Sequence, residues 1–452
     1  MSDNNKTDNI TRRSFIAKTA TLAAFTIVPR HVLGGPGYLS PSDKLNIAVV
    51  GIGGKGASDT TSVSSENIVA FCDIDSKILN SSGISRKYPD AKRYQDYRIM
   101  FDKQKDIDAV MIATPDHTHA VISMESIRRG KHTYTQKPLT HTIHEAQTLA
   151  AAARKYDVAT QMGNQGQADG LPRRLREMIW DDAIGPVREV HVWTDRPNRG
   201  LLGVYWPQGI ARPTDTPVIK SGLDWDLFIG PAPMRPYNPA YHPFSWRGWW
   251  DFGTGALGDI GCHSLDPVFR ALKLGYPISV QANSTLVNTE TYPSGSMVTY
   301  EFPARGDMPE VTVKWYDGGL RPQRPAELPD GYPLGDNGTI YVGDKGKIFN
   351  HMLLPRTLAE QYVKPEKTIE ASPGHYQEWI NACKGGPKAG SNFDWAGPLT
   401  EVVLMGNVAL RLDMREKLDK HKLLWDADKK QFSNVPEANK FLHKTYRDGW
   451  TL

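Results

Sequence analysis

Gly51-Ile52-Gly53-Gly54-Lys55-Gly56 gives the spacing G-x-G-x-x-G directly behind an apolar, β-branched run at 45–50. At this spacing the first glycine allows a tight turn and the second lets the backbone approach a pyrophosphate. The third lets the following helix pack closely, with its N-terminal amides toward the phosphates. A second apolar run, 67–72, ends at Asp73, 22 residues beyond Gly51, where a carboxylate can accept hydrogen bonds from both ribose hydroxyls. Such a carboxylate repels a 2′-phosphate, so NAD is expected in preference to NADP. Asp75 is the alternative acid, but it lies past the expected strand end.

Three further groups could do chemistry. Gln136-Lys137-Pro138 follows another short run, and Asp259-Ile260-Gly261-Cys262-His263 sets a carboxylate and an imidazole four residues apart. On a helix that spacing puts both on one face, where they can meet over one substrate or orient one another. Thr114-Pro115-Asp116-His117-Thr118-His119 marks a third strand end. Its His-x-His pair lacks a third nearby ligand, so cofactor lining or helix capping is expected of His117 and His119 rather than metal binding. Cys262 and His263 point about 100° apart on a helix, which argues against a shared metal.

These groups need elements to position them. Strands at 107–113, 132–135 and 158–162 alternate with helices at 120–129 and 143–156, which predicts a parallel sheet with ligands beyond its carboxyl ends. From 163 the pattern changes. A helix at 171–180 leads to strands at 188–193, 278–282, 297–302 and 311–315 with period-two alternation, then a hairpin over 338–350 turning at 343–346. The expectation is an α/β Rossmann domain with a parallel sheet, plus an α+β second domain with a largely antiparallel open sheet. Helices at 375–383 and 399–411 follow, and the last residues carry no readable pattern. The expected division is 1–34 signal, 35–43 linker, 44–162 cofactor domain, 163–425 substrate and oligomerisation domain, and 426–452 terminal segment.

Gly51 to Gly56, Asp73, Ala113-Thr114-Pro115, Gln136-Lys137-Pro138 and the Asp259/His263 pair, in this order, resemble the Gfo/Idh/MocA family of glucose-fructose oxidoreductase and inositol dehydrogenase-like enzymes. The resemblance runs from Asn46 to about Leu410 and implies hydride transfer between NAD and a secondary hydroxyl. His263 is then expected as principal acid/base, Lys137 as the cation that steadies the developing alkoxide or relays its proton, and Asp259 as partner of both and acceptor from the substrate. Gly51, Ile52, Gly53, Gly54, Lys55, Gly56, Asp73, Thr114, Pro115, His117, His119, Gln136 and Lys137 are then the expected cofactor contacts. The family has a glutamate where this chain has Gln136. Losing that charge should hold the Lys137 pKa less high.

A Pro-rich stretch from 195 to 250 holds much of the unusual aromatic content, 12 Trp and 18 Tyr in the whole chain. A connection this long is more often functional than filler. Aromatic faces beside Arg and His donors suit a sugar, so Trp206, Trp246, Arg247 and Trp249, with Asn164, Gln165 and His263, are the expected substrate contacts. The bland reading, that these aromatics form a local core, is expected to hold for most of them.

Composition sets the outer limits. A length of 452 residues exceeds one small domain, three cysteines exclude a disulfide scaffold and a four-cysteine zinc module, and a net charge of +4 advertises no nucleic-acid surface. Thr11-Arg12-Arg13-Ser14-Phe15-Ile16-Ala17-Lys18, an apolar run at 19–28 and Pro29 resemble a twin-arginine export signal cleaved before Gly35. The run is shorter than the roughly 20 residues that span a bilayer, so no permanent membrane span is expected. Residues 1–34 carry a net +3, which leaves the remainder near +1. Export machinery, a carbohydrate and a second copy of the chain, as homodimer or homotetramer, are the expected partners, and the periplasm or another exported location the destination. With no nicotinamide pool outside the cytoplasm, the cofactor should stay bound and be reoxidised within the cycle or by a second sugar. Two alternatives remain open: a redox-neutral NAD-dependent glycosidase, and a sugar-binding protein without turnover on the same fold.

Overall fold

The computed structural model describes residues 43–200, 202–412 and 422–452. The twin-arginine pattern lies outside them. Within the unit Leu45–Leu452, the first part alternates strand and helix: β1 (Asn46–Val50), α1 (Lys55–Ser62), β2 (Asn67–Cys72), α2 (Ser76–Ser81), α3 (Gly83–Lys87), β3 (Lys92–Tyr94), α4 (Tyr97–Lys103), β4 (Ala109–Ile112), α5 (Asp116–Arg128), β5 (His132–Gln136), α6 (Ile143–Tyr156) and β6 (Thr160–Gly163). All six strands run parallel, in the order β3-β2-β1-β4-β5-β6. Strand order reverses between β1 and β4, which opens a crevice at their carboxyl ends, where Gly51 and Thr114 lie. Their unbroken apolar runs follow from burial on both faces of the sheet. A capping box of Thr142 and Glu145 starts α6 where the sequence predicts it.

The chain continues through α7 (Gly170–Trp180), β7 (Val187–Trp193), α8 (Trp225–Ile229), α9 (Gly255–Leu272), β8 (Ser279–Ser284), β9 (Ser296–Phe302), β10 (Val311–Tyr316), β11 (Gly338–Gly343), β12 (Lys347–Phe349), β13 (Met352–Leu354), α10 (Arg356–Gln361), α11 (His375–Cys383), α12 (Phe393–Leu412), β14 (Leu423–Asp426) and β15 (Gln431–Phe432). The second sheet has the order β13-β12-β11-β7-β10-β9-β8-β14-β15, and only its β7–β10 pair is parallel. In β9, Val298, Tyr300 and Phe302 face inward, while Met297, Thr299 and Glu301 are half-exposed on the other face. That alternation is what a sheet covered on one side requires. The inner face is covered by α9 and α12, so the helix carrying Asp259 and His263 is anchored on the sheet.

Two differences from the sequence reading have simple causes. Helix α12 begins at Phe393 rather than 399, because Pro398 forfeits only the bond to the Asp394 carbonyl while Phe393 and Ala396 are fully buried. The terminal segment is not featureless either. Its β15 pairs with β14, and its Trp450 joins the core of Met100, Phe101 and Ile122 in the cofactor half.

Gly406 of α12 faces Tyr300 and Leu257, where an added Cβ would collide with both side chains. Gly406→Ala is therefore expected to destabilise the fold by about 1–3 kcal/mol, read as a lower urea midpoint at unchanged slope.

Candidate active site

The β1–α1 turn is shaped by what a side chain would meet there. Gly51 has φ +81°, and a Cβ on it would stand 2.7 Å from the Ala113 carbonyl oxygen; one on Gly56 would overlap the Gly51 carbonyl. Gly53, by contrast, would meet only Ile78 at 3.5 Å and faces the crevice. Gly54 caps α1 without a side-chain bond; the Gly56 amide turns to the Gly53 carbonyl at 3.0 Å, and the Lys55 and Ala57 amides are the ones left for a ligand at the helix start. Asp73 is buried and held by backbone, its two oxygens accepting from the Ile52 and Asp75 amides, each at 3.0 Å. Burial outweighs those bonds and pushes its carboxyl up to about 6. A carboxylate so oriented, next to a glycine cradle and a free helix start, fits an adenosine ribose and a diphosphate.

The crevice is a cavity of about 980 Å³, at the upper end of the roughly 300–1,000 Å³ usual for ligand sites, so it has room for a cofactor and a substrate together. Its lining comes from both parts of the fold. Gly51, Gly53, Gly54, Lys55, Asp73, Thr114, Pro115, Gln136 and Lys137 line it from the parallel sheet. Gln165, Trp246, Arg247, Asp259 and His263 line it from the other side.

Lys137, just beyond β5, donates from Nζ to Asp259 Oδ1 at 2.8 Å and also to the Asp259 backbone carbonyl. Arg247 Nε donates to the same Oδ1 at 3.2 Å, and its guanidinium lies between Phe244 and Trp246, 4.3 and 4.2 Å from the ring centroids. Burial alone would raise the Asp259 carboxyl; the charges of Lys137 and then Arg247 outweigh it and hold it at about 2. One turn on, His263 Nδ1–H donates to Asn164 Oδ1 at 2.7 Å, which leaves the Nε2 lone pair as the free position of the ring. Burial, then the Lys137 charge, push His263 down to about 3, so the ring is neutral at neutral pH.

Several expected contacts lie elsewhere. His117 is fully buried, its ring nitrogens 3.2 and 2.8 Å from the Phe252 and Phe228 carbonyls. His119 is likewise buried, 2.8 Å from both the Pro138 and Thr114 carbonyls. Both brace the strand-end loops and neither lines the cavity. Ile52 acts through its amide on Asp73, and Gly56 through close packing on Gly51. Trp206 and Trp249 are core residues whose indole N–H groups go to Gln208 and the Ala240 carbonyl. Trp206 stands one layer back, behind Tyr205 and Phe244, whose rings do face the cavity. Asn164 positions His263 instead of lining the wall.

Gln136 turns to Asp59, while the Lys137 ammonium is paired with Asp259. The Gln136 amide donates at 2.6 Å to Asp59, a fully buried carboxylate that also takes Lys55 and the Tyr376 hydroxyl. Sequence reasoning missed Asp59, which carried no motif, and Asp116, which lay inside a motif read for its histidines. Asp116 lines the cavity with Oδ2 accepting from Thr254 at 2.6 Å, and burial pushes its carboxyl up to about 7. Among the described residues no group of three or more His, Cys, Asp or Glu side chains is placed to hold a metal ion, and no helix is long and apolar enough to cross a membrane.

A doubly wound dinucleotide crevice, closed by an antiparallel α+β half that brings an Asp and a His to a strand-end Lys, defines a two-part nicotinamide oxidoreductase. Residues 45–164 match the GFO_IDH_MocA oxidoreductase family, NAD-binding Rossmann fold, and 203–452 match its C-terminal alpha/beta domain. The chain belongs to this family. It is 25% identical over 182 residues to levoglucosan dehydrogenase of Pseudarthrobacter phenanthrenivorans, covering 40% of this chain and 37% of that one. To inositol 2-dehydrogenase of Salmonella typhimurium it is 27% identical over 152 residues, covering 32% and 45%. A glycosyl hydrolase family 109 protein of Shewanella pealeana matches at 24% over 164 residues, 33% and 36%. The matches thus span less than half the length of these relatives. In fold it resembles the WlbA dehydrogenase from Bordetella pertussis, solved with NADH and UDP-GlcNAcA, with a TM-score of 0.57 at 15% identity over 83% of this chain and 100% of that one.

The Asp59 contact makes Gln136 a required donor. Gln136→Glu would set two carboxylates within hydrogen-bond reach, so one is expected to keep its proton in the fold. A carboxyl whose pKa is raised by folding stabilises at low pH and loses that contribution as pH rises. The variant should therefore match the parent near pH 4 and fall behind by about 1–3 kcal/mol near pH 7, measured by urea unfolding across that range.

Proposed function

We propose that this chain is an exported oxidoreductase that acts, with tightly held NAD, on a secondary hydroxyl of a sugar, cyclitol or glycoside. The observation that carries the reading is the convergence of Lys137, Asp259 and His263 on the cavity that the glycine cradle also lines. Levoglucosan dehydrogenase, inositol 2-dehydrogenase and, in fold, an aldose-aldose oxidoreductase of Caulobacter crescentus supply the substrate class by likeness. The Tyr205, Phe244 and Trp246 rings beside Arg196 and Arg247 suit a ligand with apolar C–H faces and many hydroxyls.

When bound, the nicotinamide supplies the acceptor for the hydride from the carbinol carbon. The protein does the rest. Neutral His263 offers Nε2 to the substrate hydroxyl proton, Asn164 keeps the ring in that tautomer, and Asp259 offsets the charge gained as the proton arrives. Lys137 holds its cation where the alkoxide develops, fixed by two acceptors on Asp259. Retention of the nucleotide is supported by walls drawn from both parts of the fold.

The test starts with denaturation: the purified protein should release NAD. Lys137→Ala should keep that nucleotide but lose about 10²–10⁴-fold in turnover on any sugar or glycoside that changes the nicotinamide absorbance of the parent. Unchanged turnover would sink the assignment. Cleavage of a glycoside without net NADH would instead establish the redox-neutral reading, which the glycosyl hydrolase family 109 relative favours. Export rests on Arg12-Arg13 and the apolar run behind them; changing both arginines to lysine should leave the protein in the cytoplasm of its host, and an undiminished periplasmic fraction would count against it.

A further inference from the structure

We propose that Trp450, held in place by Lys444, Tyr446 and Arg447, is part of the cofactor site and closes the adenosine end of the cleft, so that this fixed wall slows the loss of nucleotide. The inference rests on the NAD reading above and adds a binding element that no motif announced.

Asp73 marks where the adenosine ribose must lie, at the end of β2. The neighbouring wall comes from Tyr97 at the start of α4 and from Leu227 and Phe228 of α8, and Trp450 completes it. The indole stands 6.3 Å from the Tyr97 ring, is nine-tenths buried, and has the Arg98 guanidinium 4.8 Å from its centroid on a side chain tied to Asp96. A flat apolar ring in a half-closed slot is the surface a purine base uses in proteins, since every base has a π-face to offer.

The segment is fastened, not draped. Lys444 Nζ reaches the His117 carbonyl at 3.0 Å and Glu145 at 2.9 Å, and the Tyr446 hydroxyl donates to the same carboxylate at 2.6 Å. Arg447 donates to the Gly230 carbonyl at 3.0 Å and to Asp226, and its carbonyl accepts from the Trp450 amide at 3.0 Å. These anchors lie on α5, on α6, and on α8 with its cap Gly230; of the three helices, α5 and α8 also line the crevice. The fastening makes the wall a fixed one, and its removal should act on the rate of nucleotide loss more than on the rate of capture.

The experiment loads the full-length protein with NADH, chases with excess NAD, and follows the loss of bound-NADH fluorescence. Trp450→Ala should release NADH roughly tenfold faster or more, Trp450→Phe should restore most of the retention, and Arg447→Gln should shift release in the same direction as Trp450→Ala. Release from Trp450→Ala within about twofold of the parent overturns the proposal. If Trp450→Ala does not fold, Arg447→Gln decides, and unchanged release there overturns it. Should the parent itself exchange nucleotide quickly, tight retention fails as a property of the enzyme, whereas the ratio between variant and parent still judges Trp450.

Discussion

The contact on which the rest of the site depends is the ion pair between Lys137 and Asp259, because its partners come from different parts of the fold. Lys137 rides on the end of a parallel strand, and Asp259 on a helix anchored to the antiparallel sheet. Paired charges in a half-buried setting add little net stability, since desolvation cancels much of their attraction. What they do is fix geometry. Two acceptors on one residue, the Asp259 carboxylate and its own carbonyl, leave the ammonium one direction to face. The same helix then delivers His263 one turn away. A dinucleotide fold alone would place the lysine; only the second half makes it a site.

Gln136 shows how such a structure absorbs a departure from its family. Read in the sequence, the missing glutamate looked like a charge removed from beside Lys137. In the fold its amide faces Asp59, a fully buried carboxylate that also takes an ammonium and a phenol. A glutamate there would oppose it, whereas an amide supplies the donor that the buried acid needs. In this chain Gln136 is therefore the partner of the acid at 59, and the charge on Lys137 is answered from another element altogether.

The parts legible in the sequence were those governed by local periodicity. The parallel strands, the bounds of α6 and α11, the glycine turn and the hairpin at 343–346 all follow from neighbours within a few residues. Side-chain direction beyond an element's own face does not. Trp206 and Trp249 stand in the expected insertion yet one layer behind the cavity wall, because a Pro-rich stretch has no repeat from which to read facing. His117 and His119 mark a true strand end but turn to carbonyls supplied by other segments, three of the four at least 19 residues away. Trp450 was illegible for a similar reason. Tyr97, Met100, Phe101 and Ile122, against which it packs, lie over 300 positions earlier in the chain, and nothing in a polar tail announces what it will cover.

The charge count of the site gives its chemistry a direction. Lys137 and Arg247 both point to one oxygen of Asp259, so this trio carries one positive charge more than it neutralises. A developing alkoxide is stabilised by such a surplus, and the imidazole beside it stays neutral, first because it is buried and then because the Lys137 charge opposes a further cation. Another ionisable group in the same field is Asp116, buried, held by Thr254, and pushed up to about 7 by burial against the partial help of that hydrogen bond. Protonated, it leaves the surplus intact; ionised, it cancels it. Asp116 is hydrogen-bonded to Thr254 and to neither Lys137 nor His263, so the electrostatics of the trio is set by its surroundings as well as by its members.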